Sequence, residues 1–181
     1  MFTDMKHGTA EDWRHIAAEH AKHQKNDAPR QIMESLARLE AIEVGFGANQ
    51  LQHSLMAGTL ARRAGAADEE VVAALCHDIG KLFSIPNHGP IAAEMLKPYV
   101  SDDIYHAVYH HQAFQGRYYF EHLGIDPEQR ARFSGESWYG FAVKLVDDWD
   151  TPAFDPGFEA DPLESFEPEV TRVFSSPKKM V

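Results

Sequence analysis

From Asp68 to Lys81 the chain reads DEEVVAALCHDIGK: an apolar helical run that ends with a histidine and an aspartate side by side. Val71, Val72, Leu75 and Ile79 recur at helical spacing. Asp68 is the predicted cap, and Glu69 and Glu70 fall in the first turn, where the helix dipole favours acids. A helix this apolar belongs in a core, and its end then carries two polar side chains inward. Burying them without partners costs on the order of several kcal/mol. A divalent cation removes that cost, because neutral imidazole and carboxylate ligate Fe, Mn, Zn and Ni. For His77 alone, a histidine hydrogen-bonded to its core neighbours is an equal account, so the rest of the chain has to decide.

No segment alternates with period two, and helical signals follow one another along the chain. Thr9-Ala10-Glu11-Asp12 resembles a capping box opening a polar helix to about Lys25. Its His15, His20 and His23 read as surface residues. Asp27-Ala28-Pro29 restarts a helix with Ile32, Leu36 and Leu39 at core spacing, and Gly45 and Gly47 break it off. A third helix spans Asn49 to Ala64, carries His53 early and is closed by Gly65. After the Asp68 helix, Asn87 is the predicted cap of a helix from about His88 to Leu96. Ser101-Asp102-Asp103 opens another, with His106, His110 and His111. Asp126-Pro127 starts a short one, and Ser137 is the predicted cap of a helix ending in Asp147-Asp148-Trp149-Asp150. A proline-punctuated loop and a last helix to Phe174 follow. This is an all-α chain with one main domain: an N-terminal helical extension over 1–26, the domain proper over 27–175 and a loose tail over 176–181.

Composition limits the partners. A net charge of −11 leaves no basic patch to release counterions, which argues against nucleic acid and anionic membranes. The single cysteine, Cys76, excludes an intrachain disulfide and fits a reducing cytoplasm. No apolar run reaches membrane-spanning length, and the first residues do not read as a signal peptide. A small-molecule substrate remains, and a homo-oligomer is compatible with the sequence.

Six polar groups fall at helix ends or on otherwise apolar helices: His53, His77, Asp78, His88, His111 (or His110) and Asp150. A helical bundle can bring such residues to one interior site. A single metal needs about four to six donors, so six residues with a shareable carboxylate suit two metals. Asp78, next to His77, is the natural bridge. Two ions roughly 3.5–4 Å apart can clamp a phosphate, activate water or bind dioxygen.

The ordered set His53, His77-Asp78, His88, His111, Asp150 resembles the HD-domain superfamily of metal-dependent enzymes, and His88 with His111 resembles its di-metal branch. The resemblance covers about Ala48 to Gly157. Within that branch the chain is most similar to mixed-valent di-iron oxygenases of the phosphonate-degrading and inositol-oxygenase kind. The stretches Asn49-Gln50-Leu51-Gln52-His53-Ser54-Leu55 and Ala64-Gly65-Ala66 through His77-Asp78 carry it, as does Trp149-Asp150 with Ala153 and Pro156-Gly157. The last of these selects Asp150 over Asp147 and Asp148. The resemblance implies a helical bundle with its metal site in the core. It also implies two Fe ions in the Fe(II)/Fe(III) state: His53, His77 and Asp150 on one, His88 and His111 on the other, Asp78 between them. The sequence departs from the phosphonate-degrading pattern at Glu43 and Phe46, where that family has a tyrosine and a glutamate. It departs again at Gln115, where it has a lysine, and at Asp147, where it has an arginine.

Asp78 and Lys81 are thus the expected catalytic residues, with Lys81, Gln115, Arg117 and Tyr118 expected at the substrate. His110 and Asp147 are expected to orient ligands from behind. The leading expectation is a di-iron oxygenase that uses dioxygen to oxidise or cleave a small polar substrate chelated to one iron. The alternative is a phosphohydrolase of the same fold acting on a phosphate ester or nucleotide with Mn, Ni or Mg. A catalytically silent binding module ranks third, since a full ligand set is hard to explain by stability alone.

Overall fold

The computed structural model describes residues 2–178, and among them there are helices and no strands. The helices are α1 (Ala10–Asn26), α2 (Ala28–Arg38), α3 (Gln50–Arg63), α4 (Asp68–Cys76), α5 (His88–Leu96), α6 (Asp102–Gln115), α7 (Tyr139–Val143) and α8 (Glu167–Phe174). No helix among them is long and apolar enough to cross a membrane.

Local hydrogen bonds start and stop these helices much as the sequence predicts. Thr9 and Asp12 form a reciprocal capping box on α1, and Asn49 and Gln52 do the same on α3. At the other end of α3, Gly65 adopts φ +73°, a conformation that favours glycine. Gly65 N donates to Arg62 O and Ala66 N to Ala61 O, which completes a Schellman stop.

Three predicted caps differ. Ala67, not Asp68, is the first residue of the α4 cap, and Glu70 accepts from its N–H. Asp68 instead accepts from Arg172 on α8 at 2.6 and 3.0 Å, a tertiary partner invisible to local pattern. Asn87 makes no side-chain cap bond on α5. The Ser137 hydroxyl donates to Asp103 at 2.7 Å, bracing α7 against the start of α6.

α4 is the axis of the bundle. Every residue from Val71 to Cys76 is buried, so beyond its first turn it has no solvent face, as expected of a helix enclosed by others. α3 packs along it on one side and α8 on another. α8 buries Val170, Val173 and Phe174. The Arg62 guanidinium lies 3.8 Å above the Phe166 ring and pairs with Asp161 and Glu169, fastening α3 to this closing helix. α5 and α6 pack as a pair, α6 against α4 and α5 against the turn at 79–82 that follows it.

α1 stands apart. It has no buried residue and is tied to the bundle through Gln24, whose amide donates to the Tyr99 hydroxyl and to Phe174 O. At the other terminus, Lys178 N donates to Pro98 O. Residues 179–181 of the expected tail lie outside the described residues.

Two backbone features position the site. After Cys76 the chain leaves the α-helix: Asp78 sits at φ −101°, ψ 0°, and a 3₁₀ turn follows over Ile79–Leu82. Gly80 in that turn lies against the start of α5 so closely that a Cβ would fall 2.1 Å from the His88 carbonyl oxygen. The helix predicted to run straight to Asp150 also changes pitch: α7 gives way to a π-helical turn over Lys144–Asp150, closed by Thr151 N donating to Val146 O.

Candidate metal centre

Four histidines and two aspartates converge where α3, α4, α5, α6 and the π turn meet. His53, His77, Asp78, His88, His111 and Asp150 are all buried. Each sits at a place where helical packing aims it inward: His53 on the first turn of α3, His77 just past α4, His88 at the first position of α5, His111 on the last turn of α6.

The four rings share one arrangement. Nδ1 of His53 faces Ala153 O at 2.9 Å, that of His77 Ala74 O at 2.7 Å, that of His88 Ile85 O at 2.6 Å and that of His111 Val108 O at 2.7 Å. A carbonyl only accepts, so each Nδ1 carries the proton and each Nε2 presents a lone pair to the interior. The Nε2 atoms then face each other: His53 and His77 at 3.2 Å, His88 and His111 at 3.1 Å. Two acceptor nitrogens cannot bond to one another. A proton on one ring relieves a single pair, whereas a cation serves several acceptors at once. Donors held about 2.0–2.2 Å from a shared ion stand roughly 3 Å apart, which is the spacing seen.

The carboxylates complete two groups. Asp150 Oδ1 is 3.2 Å from His53 Nε2 and 3.5 Å from His77 Nε2. Asp78 divides its oxygens: Oδ2 faces His53 at 3.4 Å and His77 at 3.6 Å, while Oδ1 faces His88 at 3.0 Å and His111 at 3.5 Å. The combinations His53, His77, Asp150 and His77, Asp78, His111 each bring ligand atoms close enough to hold an ion. The donor set therefore fits divalent metal, with Asp78 placed to serve both groups.

Electrostatics agree. Burial by itself would push the His77 pKa down, but Asp78 and Asp150 outweigh it and raise it to about 9, so without metal a proton is held there. Burial would raise both aspartates; His77 and the other imidazoles instead hold Asp78 and Asp150 well below the usual carboxylate range. Burial lowers His111, keeping it neutral as a ligand must be. Burial pushes the Cys76 thiol up to about 12, so this neighbour of His77 is inert.

Around the six residues the expected contacts divide. Lys81 Nζ donates to Asp78 Oδ2 and to Gln50 Oε1 at 2.9 Å. Gln115 Nε2 lies 3.2 Å from both oxygens of Asp150, so it orients that carboxylate as well as facing the cleft. Of the two adjacent histidines on α6, His111 turns to the cluster, and His110 stacks on Trp138 with ring centres 5.3 Å apart. Asp147 is occupied by Arg130 at 3.0 Å and by the Tyr118 hydroxyl, and bonds to none of the six. Arg117 is exposed and lies outside the cleft lining.

A cleft of about 580 Å³ leads to the centre, with His88, Lys81 and Gln115 on its inner side. Phe154 forms one wall, stacked on the His53 ring at 4.3 Å, and Phe46 stacks on Phe154 at 4.5 Å. Tyr119 lines the cleft, as do Gln112 and Thr151. Gln112, Tyr119, Thr151 and Phe154 carry no sequence signal of their own, whereas Phe46 stands at a departure from the phosphonate-degrading pattern. Gln50 also carries a signal: a polar residue one helical turn before His53 is on the same side of α3.

No curated protein matches the chain. Residues 51–150 match the model of the HD domain, a span that contains all six converging residues. The match covers more than half of the sequence, and its span includes the histidines and aspartates that the fold gathers: the chain belongs to the HD-domain family.

Proposed function

We propose that this HD-domain protein is a di-iron oxygenase acting on a small polar substrate that reaches the centre through the Phe46–Phe154 cleft. The observation that carries the reading is the divided carboxylate of Asp78, one oxygen toward each histidine pair. A single-metal site has no use for the second pair. His53, His77 and Asp150 would hold one iron, His88 and His111 the other, with Asp78 shared. An iron pair so held supplies dioxygen binding and one-electron chemistry.

The chain's own residues prepare that chemistry. Four backbone carbonyls lock the imidazoles in the ligating tautomer. Lys81 balances the charge of Asp78, and Gln115 fixes the plane of Asp150. Phe154 covers one face of His53 and keeps water from it. The buried, unreactive Cys76 fits a cytoplasmic setting.

Electron paramagnetic resonance on iron-loaded, partly reduced protein tests the reading. The expected result is a coupled half-integer signal that His88→Ala abolishes, together with oxygen uptake that requires both iron and substrate. One tightly held Mn, Ni or Zn, with anaerobic hydrolysis of a phosphodiester, would replace the oxygenase by a phosphohydrolase.

A further inference from the structure

The cleft is built differently from an anion site. Lys81 is the one lysine or arginine in its lining, and its ammonium is already engaged by Asp78 and Gln50. No arginine lines it: Arg130 pairs with Asp147, Arg117 lies outside the lining, and Arg132 lines a separate hollow on the far side of Gln112 and Tyr119. A phosphate or phosphonate dianion entering here would find no side-chain cation free of a carboxylate in the lining, so the metal centre alone would have to balance its second charge, in a protein of net charge −11.

What the cleft does offer is neutral. Thr151 lines it, and its hydroxyl, shielded from solvent beneath the surface, has no hydrogen-bond partner among the described residues. Gln112 and the Tyr119 hydroxyl also line it and make no side-chain hydrogen bond among the described residues. Opposite these groups the wall is apolar: Val44, Phe46, Ile85 and Phe154. Phe46, Ile85 and Val44 are all exposed and share this one lining, so the wall is a contiguous apolar patch rather than a single exposed ring.

We propose that the cleft selects a neutral or singly anionic amphipathic molecule and discriminates against phosphate and phosphonate compounds. Its oxygen-bearing end meets Gln112, Tyr119 and Thr151 beside the metal centre. Its aromatic or branched-alkyl body covers Phe46, Phe154 and Ile85. The inference rests on the reading of this cleft as the substrate entrance of the metal centre.

Calorimetric titration of the full-length, ferrous-loaded protein under argon tests it with matched probes. Mandelate and neutral mandelamide carry a phenyl body on a chelating head, glycolate has the head alone, and phenylphosphonate has the ring with a dianion. Mandelate or mandelamide is expected to bind at least about tenfold more tightly than glycolate, the factor that burying a phenyl ring supplies, and tenfold more tightly than phenylphosphonate. Phe46→Ser, at an exposed ring, is expected to weaken the phenyl probes about fivefold and leave glycolate unchanged. Phenylphosphonate binding as tightly as mandelate, equal affinity for glycolate, or no binding of either phenyl probe would overturn the inference. The titration needs no oxygen. The expected affinity order with no oxygen uptake would remove the oxygenase reading alone, and preferred phosphonate with uptake intact would remove the cleft inference alone.

Discussion

Two groups of histidines occupy this chain, and they share a sequence context without sharing a fate. His15, His20 and His23 lie on α1, a helix with a complete capping box and acidic residues in its first turn. His53 lies on α3, a helix with an equally complete capping box. Yet α1 has no buried residue, and its His23 makes only an exposed pair with Asp27 at 3.2 Å, whereas His53 is fully buried, with Nδ1 held by Ala153 O and Nε2 turned toward His77. Helix formation is therefore not what makes a ligand. The difference is tertiary: a backbone carbonyl behind each core ring fixes its tautomer, and packing denies it water. An exposed histidine can rotate and hydrate. A buried one facing another lone pair must find a cation or a proton.

That contrast can be broken most directly at its two ends. His77→Ala should lower metal affinity by more than about a hundredfold, since it removes a donor outright where loss of a supporting group alone costs 10–100-fold. His20→Ala should leave bound metal unchanged and stability within about 0.5 kcal/mol. Metal analysis after equilibrium dialysis, with urea unfolding, reads both; equal losses would erase the distinction.

Gly80→Ala attacks the packing that presents the second histidine pair. The added methyl collides with the backbone of His88 rather than with a movable side chain. A loss of about 2–3 kcal/mol in unfolding free energy is expected and, if the proposed two-metal centre holds, a metal content falling toward one ion per chain. Two ions retained at unchanged stability would show that α5 can shift freely.

Gln115→Leu sharpens the comparison within the core. If the amide holds the plane of Asp150, metal affinity should fall about 10–100-fold while the fold stays intact. If only substrate affinity changes, its role is at the cleft alone.

The smallest effect is expected at α1. Thr9→Ala removes a cap worth about 1 kcal/mol, but to a helix that contributes no buried surface. Amide exchange should therefore quicken over residues 10–14 while global unfolding and metal content stay put. A drop in global stability of the same size would mean that α1 is part of the cooperative unit.

Much of this was legible in the order of residues. The reciprocal caps at Thr9 and Asn49 and the stop at Gly65 close hydrogen bonds within a few residues, so local sequence carries them. The spacing of Leu36 and Leu39, and the apolar run before His77, marks core faces for the same reason. The ordered set of histidines and aspartates pointed to a shared site before any packing was known, because few other arrangements explain polar groups on apolar helices.

What required the tertiary structure is everything that depends on partners distant in sequence. Asp68 was expected to cap its own helix and instead pairs with Arg172, 104 residues away. The choice of His111 over its neighbour His110 follows from which side of α6 faces the bundle. Gln115 reaches Asp150 across 35 residues, and His53 is anchored to Ala153 across 100. The division of the Asp78 oxygens, the π turn that delivers Asp150 and the close contact at Gly80 have no local signature. The sequence by itself determined which residues would be costly to bury and would need a common partner. Only the tertiary structure decided which nitrogen each ring turns inward and which oxygen meets it, because those choices are made by backbone carbonyls and neighbouring helices that the chain brings together only on folding.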